Sequence, residues 1–299
     1  MSNQLDAYPT QRLLEECESL NLDGLFIKTS LVRLRVRQDP GVSFNAYYLG
    51  RSLNDLDVVI PRIGSSMTSV GELIIRHFKG MGIPTTVSAL AIHIARDKYL
   101  TIQKLALNGI PVPETILVNS FLQSMDLLTI RNLPIILKPR NLFHGLGVVK
   151  VNDLKFLLEI SEALISISSP SRRSIMIQEF IEHKKPHQDY RLFVINDKVI
   201  AAMTRTANHP DQWRTNVARG ASVSEYNPTS EEKQLAVEAT RILRLKIAGV
   251  DIIQDKDKNP FILEVNPCPG WKGIEEATGK NIAQDIIRYA LDLAKKDEY

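Results

Sequence analysis

The stretch Ile262-Leu263-Glu264-Val265-Asn266 reads as a buried strand that ends on a carboxylate and an amide two residues apart. In a strand, side chains two residues apart lie on one face, so Glu264 and Asn266 look the same way. Residues 248–266 have the pattern of a hairpin whose turn falls in the polar run Asp255 to Asn259. A loop over Lys256 to Asn259 pairs Asp255 with Pro260; counting outward sets Ile253 opposite Ile262 and Asp251 opposite Glu264. Opposed Cβ atoms lie about 5 Å apart, so the two carboxylates repel unless a cation sits between them. A hard divalent cation that keeps positions for phosphate and water suits such oxygen ligands. Asp251, Glu264 and Asn266 are therefore candidate Mg²⁺ ligands beside a nucleotide. A plainer arrangement also fits, with Asn266 opening the Pro267-Cys268-Pro269-Gly270 turn and both acids facing solvent.

Other polar residues bear on that choice. Lys138 closes the apolar run Ile135-Ile136-Leu137, where it either aims a fixed charge at a phosphate or snorkels to the surface. The following loop holds Gly145 and Gly147, which let backbone N–H groups approach a phosphate. Neither a Walker A sequence nor GxGxxG occurs, which disfavours P-loop and Rossmann sites. Glu179 stands where the apolar run Ile175–Ile177 ends, as a strand end or as a linker offering backbone to adenine and a carboxylate to ribose. Arg205, Arg214 and Arg219 cluster around Asn216, either as forks for phosphate and carboxylate or as a solvated basic loop. His183 and His187 have zinc-like helical spacing, but Pro186 between them rules out the helix.

These residues need elements to hold them. Helical spacing covers 10–20, 69–82, 96–109, 153–167, 229–245 and 281–296, with Asp97 as an N-cap and Thr229 to Glu232 as a capping box. Strand patterns cover 25–30, 56–64, 134–139, 147–151 and 174–181, while the opening Met1 to Ala7 does not read as a strand. A hairpin over 189–205 turns at Asn196-Asp197. Alternating strands and helices make residues 1–95 a parallel α/β unit; a small central α+β domain follows over 96–181, and a C-terminal α+β domain over 182–299.

Bulk properties are consistent with this. The 299 residues carry a net charge of +3, too little to argue for nucleic acid. Two distant cysteines do not make a disulfide framework, which suggests a reducing compartment, and the expected location is the cytoplasm. No apolar run approaches the roughly 20 residues that span a bilayer, so no membrane role is expected.

In this order the motifs resemble the ATP-grasp fold, and within it the RimK-like α-L-glutamate ligases. The resemblance covers about residues 56–290 and is carried by Val59–Gly64, Ala95–Thr115, Leu137-Lys138, Gly145–Val149, Ile177–Phe180, Asp189–Val194, Arg214–Asn216, Gly249–Ile252 and Leu263–Ala283. The last, Glu-x-Asn followed by Pro-Gly-x-x-Gly-Ile-Glu-x-x-Thr-Gly, is the most specific. The resemblance implies ATP between the middle and C-terminal domains. Asp251, Glu264 and Asn266 would hold two Mg²⁺ ions, with Glu264 bridging and Mn²⁺ able to substitute. Lys98 and Lys138 would contact phosphates, with Gly145 and Gly147 in the phosphate loop. Gln178, Glu179, Phe180 and Ile181 would line the adenine and ribose pocket, and Asp189 would bind the ribose. Arg214, Thr215 and Asn216 would meet the phosphates and the reacting carboxylate; Arg205, Arg214 and Asn216 are the catalytic candidates. Phe143 and His144 replace the usual small residues of the phosphate loop.

The implied reaction is ATP-dependent joining of a carboxylate to an amine. Phosphorylation would give an acyl phosphate, an amino acid such as L-glutamate would attack it, and phosphate would leave. The acceptor would be a protein C-terminus or a coenzyme tail. Loops 140–147 and 206–220 would exclude water. Arg172, Arg173, His183, Lys184, Lys185 and His187 form a basic stretch that is either a solvated loop or a patch for an acidic chain. Two other functions suit the fold: a non-catalytic ATP-binding regulator, and a small-molecule kinase. Homo-oligomers are common in the family.

Overall fold

The computed structural model describes residues 1–38, 41–118, 133–140, 147–153, 155–157, 159–160, 174–182, 186–209, 212–215 and 220–296. After α1 (Tyr8–Ser19), strands β1 (Val32–Gln38), β2 (Val42–Tyr48) and β3 (Arg51–Ser52) form an antiparallel meander in the order β1-β2-β3. The expected elements do not include this meander. Its first strand is mostly exposed, so no buried apolar run marks it.

The expected parallel unit shrinks to single bridges. Val59 pairs with Thr85, and Ser2 pairs in parallel with both Lys28 and Arg62. The opening segment, not expected as a strand, therefore lies between two others. Ladder pairing needs backbone groups rather than apolar side chains: Ser2 N donates to Ile27 O at 2.9 Å, and Arg62 N donates to Met1 O at 2.7 Å.

Helix α2 (Thr68–Gly80) follows. A Cβ built on Gly71 would lie 2.6 Å from Ile63 Cγ2, so the glycine lets α2 close on the Ile63-Gly64 loop. Helices α3 (Ala89–Arg96) and α4 (Lys98–Leu107) are capped by Ser88 and Asp97, the latter accepting from Tyr99 N and Leu100 N. Gly109, at φ +74°, ends the turn after α4 in the left-handed region.

The central sheet holds β4 (Thr115–Val118), β5 (Ile135–Pro139), β6 (Val149–Val151) and β7 (Ile175–Glu179) in the order β4-β7-β5-β6, all antiparallel. It has its own core around Leu137, Val151 and Ile177. Most of the expected helix 153–167 lies outside the described residues.

The C-terminal sheet holds β8 (Gln188–Ile195), β9 (Lys198–Thr206), β10 (Ser222–Glu225), β11 (Ile247–Gln254) and β12 (Pro260–Asn266) in the order β10-β9-β8-β11-β12. Alternation along β8 serves two cores. Leu192 and Val194 meet Ala236 and Ala239 of α5 (Ser230–Ile242) and Leu243 at its C-cap, together with Ile63 and Ile92 from the N-terminal region. Phe193 and Ile195 meet Leu13 of α1, Ile274 of α6 (Lys272–Thr278) and Ile286 of α7 (Ile282–Lys296). The expected capping box at Thr229 and Glu232 is formed. The β8–β9 turn has Asn196 at φ 45° and Asp197 at φ 65°, the pair of left-handed residues that a type I′ hairpin requires.

Candidate functional site

The C-terminal sheet aligns charges by register. Asp189 and Arg191 are two residues apart on β8 and share a face. Asp189 lies opposite Arg205 of β9, Arg191 opposite Asp251 of β11, and Asp251 opposite Glu264 of β12. Arg205 Nε and Nη2 donate to the two oxygens of Asp189 at 2.5 and 2.7 Å. Arg191 grips Asp251 in the same two-pronged way at 2.6 and 2.7 Å, and Arg205 Nη2 reaches Asp251 Oδ2 at 3.0 Å. Thr215 Oγ1 adds a donor to Asp189 at 2.6 Å. Burial opposes these charges, yet the arginines outweigh it and hold Asp251 below its usual range. Asp189 and Asp251 likewise hold the buried Arg205 above its ordinary value.

The outer half of the β11–β12 hairpin differs from the register expected above. Gln254, not Asp255, faces Pro260, and Ile253 faces Phe261. The turn is one residue longer because Asp255 closes it, accepting from Asp257 N at 2.8 Å and Asn259 N at 2.9 Å. A bulge between Asp251 and Ile252 takes up the extra residue, so Asp251 still faces Glu264. The bulge leaves Leu263 without an opposite residue, and Leu263 and Glu264 both line the cleft described next.

A cleft of about 170 Å³ lies between the central and C-terminal sheets. It is lined by Lys98, Lys138, Gln178, Glu179, Phe180, Ile181, Asp189, Arg205, Arg214, Thr215, Asp251 and Glu264, with Ile136, Ile253 and Leu263 as apolar walls. A second cavity, of about 470 Å³, lies towards the N-terminal region, where Arg62, Gly64 to Met67 and Arg96 face Asn266 and the Pro267–Gly270 turn. Arg205, Asp251 and Glu264 line both spaces. They form the partition where groups entering from the two sides would meet.

The partition's surroundings fit a polyanion and a hard cation. Burial lowers the pKa of Lys98, and lowers that of Lys138 to about 8 against the pull of Glu264. Lys98 Nζ lies 4.0 Å from Glu264 Oε1, and Lys138 feels Glu264, Asp251 and the repulsion of Lys98, so a phosphate between the two lysines would relieve that repulsion. Asp251, Glu264 and Asn266 offer only oxygen donors of the kind Mg²⁺ takes. Glu264, with a side chain 36% exposed, is the open one, whereas Asp251 is clamped by arginines. Among the described residues no three His, Cys, Asp or Glu residues are grouped as a metal cluster.

Lys138 gives a pH prediction. Below pH 8 it is charged in the folded and unfolded chain alike; between about 8 and its ordinary 10.5 only the unfolded chain holds the proton. Stability of the free protein should therefore rise with pH across that window. Nucleotide affinity should do the opposite, falling above pH 8 with proton uptake on binding, because phosphate favours the charged lysine. Calorimetry in buffers of different ionisation enthalpy would detect that uptake, and affinity flat through pH 9.5 would exclude it.

The structure also displaces some expectations. Asp189, assigned to ribose by resemblance, lines the cleft with its carboxylate held by Arg205 and Thr215. His187 is buried edge-on against Phe180, with ring centroids 6.1 Å apart, rather than lying on a basic surface. Arg172, Arg173, His183, Lys184 and Lys185 lie outside the described residues, as do Phe143, His144, Gly145, Asn216, Arg219, most of the 140–147 loop and part of the 206–220 loop. Gly147 is described and adopts the left-handed conformation, φ +68°. Arg191, Arg62 and Arg96 had no assigned role. Period-two spacing from Asp189 marks Arg191. Arg62 sits in the quoted Val59–Gly64 motif, donating to Pro269 O at 2.5 Å and lying 4.7 Å over the Trp271 ring.

Gly249 holds this corner together. A Cβ there would come within 2.8 Å of Pro269 Cβ. Gly249→Ala should cost about 1–3 kcal/mol by overpacking and displace the Pro267–Gly270 turn. Denaturant titration checks this, and an unchanged midpoint would contradict it.

Comparison with known proteins bears on this geometry. Residues 95–290 match the RimK-like ATP-grasp domain, and residues 1–92 match the RimK PreATP-grasp domain. A probable alpha-L-glutamate ligase of Stutzerimonas stutzeri is 35% identical over 283 residues, covering 94% of this chain and 91% of that protein. One of the same description from Shewanella pealeana is 35% identical over 289 residues; 96% of this chain spans 61% of its length. The fold is shared with the ATP-grasp ligase PsnB complexed with minimal precursor, Mg and ADP, at a TM-score of 0.72 and 17% identity over 98% of this chain and 97% of that one.

Proposed function

The chain belongs to the RimK-like ATP-grasp family of ligases, and from that premise we propose that it joins L-glutamate to a carboxylate acceptor at the expense of ATP. The observation that carries this reading is the partition of Arg205, Asp251 and Glu264 between a phosphate-ready cleft and a second, arginine-lined cavity. ATP would occupy the first, with adenine between Ile136 and Leu263, and its phosphates near Lys98 and Lys138. The acceptor carboxylate would enter from the second, where Arg62 and Arg96 offer cationic edges.

The residues then divide the work. Lys98 and Lys138 offset the negative charge spread over the transferring phosphoryl group. Asp251, Glu264 and Asn266 would hold Mg²⁺, which supplies further charge neutralisation when bound. The acceptor would leave this step as an acyl phosphate; the amine of glutamate then forms the amide bond as phosphate departs with the C–O electrons. Arg205 borders both spaces and is locked by Asp189 and Asp251, which makes it the better-placed cation for the oxyanion of that attack. Arg214 lines the nucleotide side alone. PsnB, which shares the fold, is also complexed with a precursor peptide, which supports a peptide-type acceptor here over a coenzyme tail.

The test is phosphate release with ATP and Mg²⁺ against glutamate and glutamate-ended peptides. Release that requires both, with a product heavier by one glutamate residue, supports the ligase. ADP formation with acceptor alone, the phosphoryl group staying on the acceptor, points to a kinase, and nucleotide binding without turnover points to a regulator.

A further inference from the structure

Strand β1 carries Arg33, Arg35 and Arg37 at alternate positions. Their side chains rise from one face with a repeat of roughly 6.7 Å. Their cross-strand neighbours are Tyr47, Asn45 and Ser43, none of them acidic. Among the described residues, Arg33 and Arg35 enter no ion pair. Among the described residues β1 is an edge strand, paired with β2 on one side only. On the face opposite the arginines, Leu34 is 39% and Val36 61% exposed. An exposed edge with an apolar face is a template for another chain unless something covers it.

We propose that β1 docks an extended acidic segment of a partner polypeptide, which adds to the sheet as a further strand. In such a strand alternate residues repeat at the same spacing as the arginines, so acidic side chains two residues apart would meet Arg33 and Arg35 in turn. The intervening side chains would fall over Leu34 and Val36, and backbone pairing would supply the rest. The occupant is chosen by elimination as well as by fit. A nucleic acid would engage the arginines but leave the apolar face bare, and the net charge of +3 provides no broad basic field. A second copy paired antiparallel through Arg35 would set arginine against arginine, which is unfavourable. The docking lies outside both cavities, so its outcome is separate from that of the proposed ligation.

The experiment uses the full chain and a fluorescein-labelled peptide of alternating glutamate and valine, read by fluorescence anisotropy. Binding should appear at low salt and weaken at high salt. Arg33→Glu/Arg35→Glu should weaken it by about tenfold or more, with the circular dichroism spectrum and nucleotide binding retained. Of two peptides N-methylated on alternate amides, only the one blocked on the pairing edge should lose affinity. Undiminished binding by the double variant, or equal binding of both N-methylated peptides, would overturn the proposal. Complete displacement by oligouridylate at lower concentration would assign the stripe to nucleic acid instead. Self-association of the free protein that disappears in the double variant would assign it to a second copy.

Discussion

Glu264→Gln should reduce ATP-dependent amide formation by on the order of 10³-fold or more, with almost no effect on folding. The asymmetry follows from its surroundings. Glu264 is the most open acid of the row, and among the described residues its ion-pair contact is Lys98 at 4.0 Å. Ion pairs of that kind contribute about 0–1 kcal/mol. Its position on the partition between the two cavities is what makes it chemically indispensable in the proposed reaction. Product mass spectrometry, with a thermal melt beside it, separates the two effects. Activity within tenfold of the parent would remove Glu264 from the reaction and, with it, the proposed metal ligation.

Arg205→Met should show the converse, a loss of about 3–5 kcal/mol of stability together with loss of activity. Its side chain is 6% exposed and answers both Asp189 and Asp251, themselves 10% and 7% exposed. Among the described residues, removing the guanidinium leaves Arg191 as the hydrogen-bond partner of the Asp251 carboxylate and Thr215 as that of Asp189. A second change, Asp189→Asn, should restore part of the loss, because it removes the charge left unpaired. Urea denaturation of both variants measures this, and a single variant as stable as the parent would mean the network adds little. The pH dependence has a defined sign. Asp251 is held below its ordinary 3.8, so its contribution is present above that pH and is lost as pH falls through the lowered native value.

The sequence displays the pairs that matter and hides the network around them. Asp251 and Glu264 can be set opposite each other by counting, since both interrupt apolar strands and period two leaves them one shared face. Lys138, Glu179 and Arg205 stand out for the same reason. Arg191 is easier to pass over, because it stands at the start of the apolar run Leu192–Ile195 in a polar approach, Asp189-Tyr190-Arg191, and its partner lies 60 residues away. The second cavity is equally hidden: Arg62 and Arg96 reach it through turns and helix ends of the N-terminal region, where no periodicity indicates direction. That region is also where the expected fold fares worst. Its parallel contacts are single bridges made by backbone atoms, and its one regular sheet is too exposed to leave an apolar signature.

The bulge in the β11–β12 hairpin bears on how related chains can diverge in length. Residues on the turn side of it pair in one phase, and those beyond it in the other. With the same turn, pairing the strands straight through would set Leu263 opposite Asp251 and carry Glu264 to the other face. Loss of one turn residue that leaves Gln254 opposite Pro260 keeps Asp251 opposite Glu264, and so does loss of Leu263 with closure of the bulge. The acidic pair therefore tolerates a change of length at either place singly, whereas straightening the strand at constant length would break it.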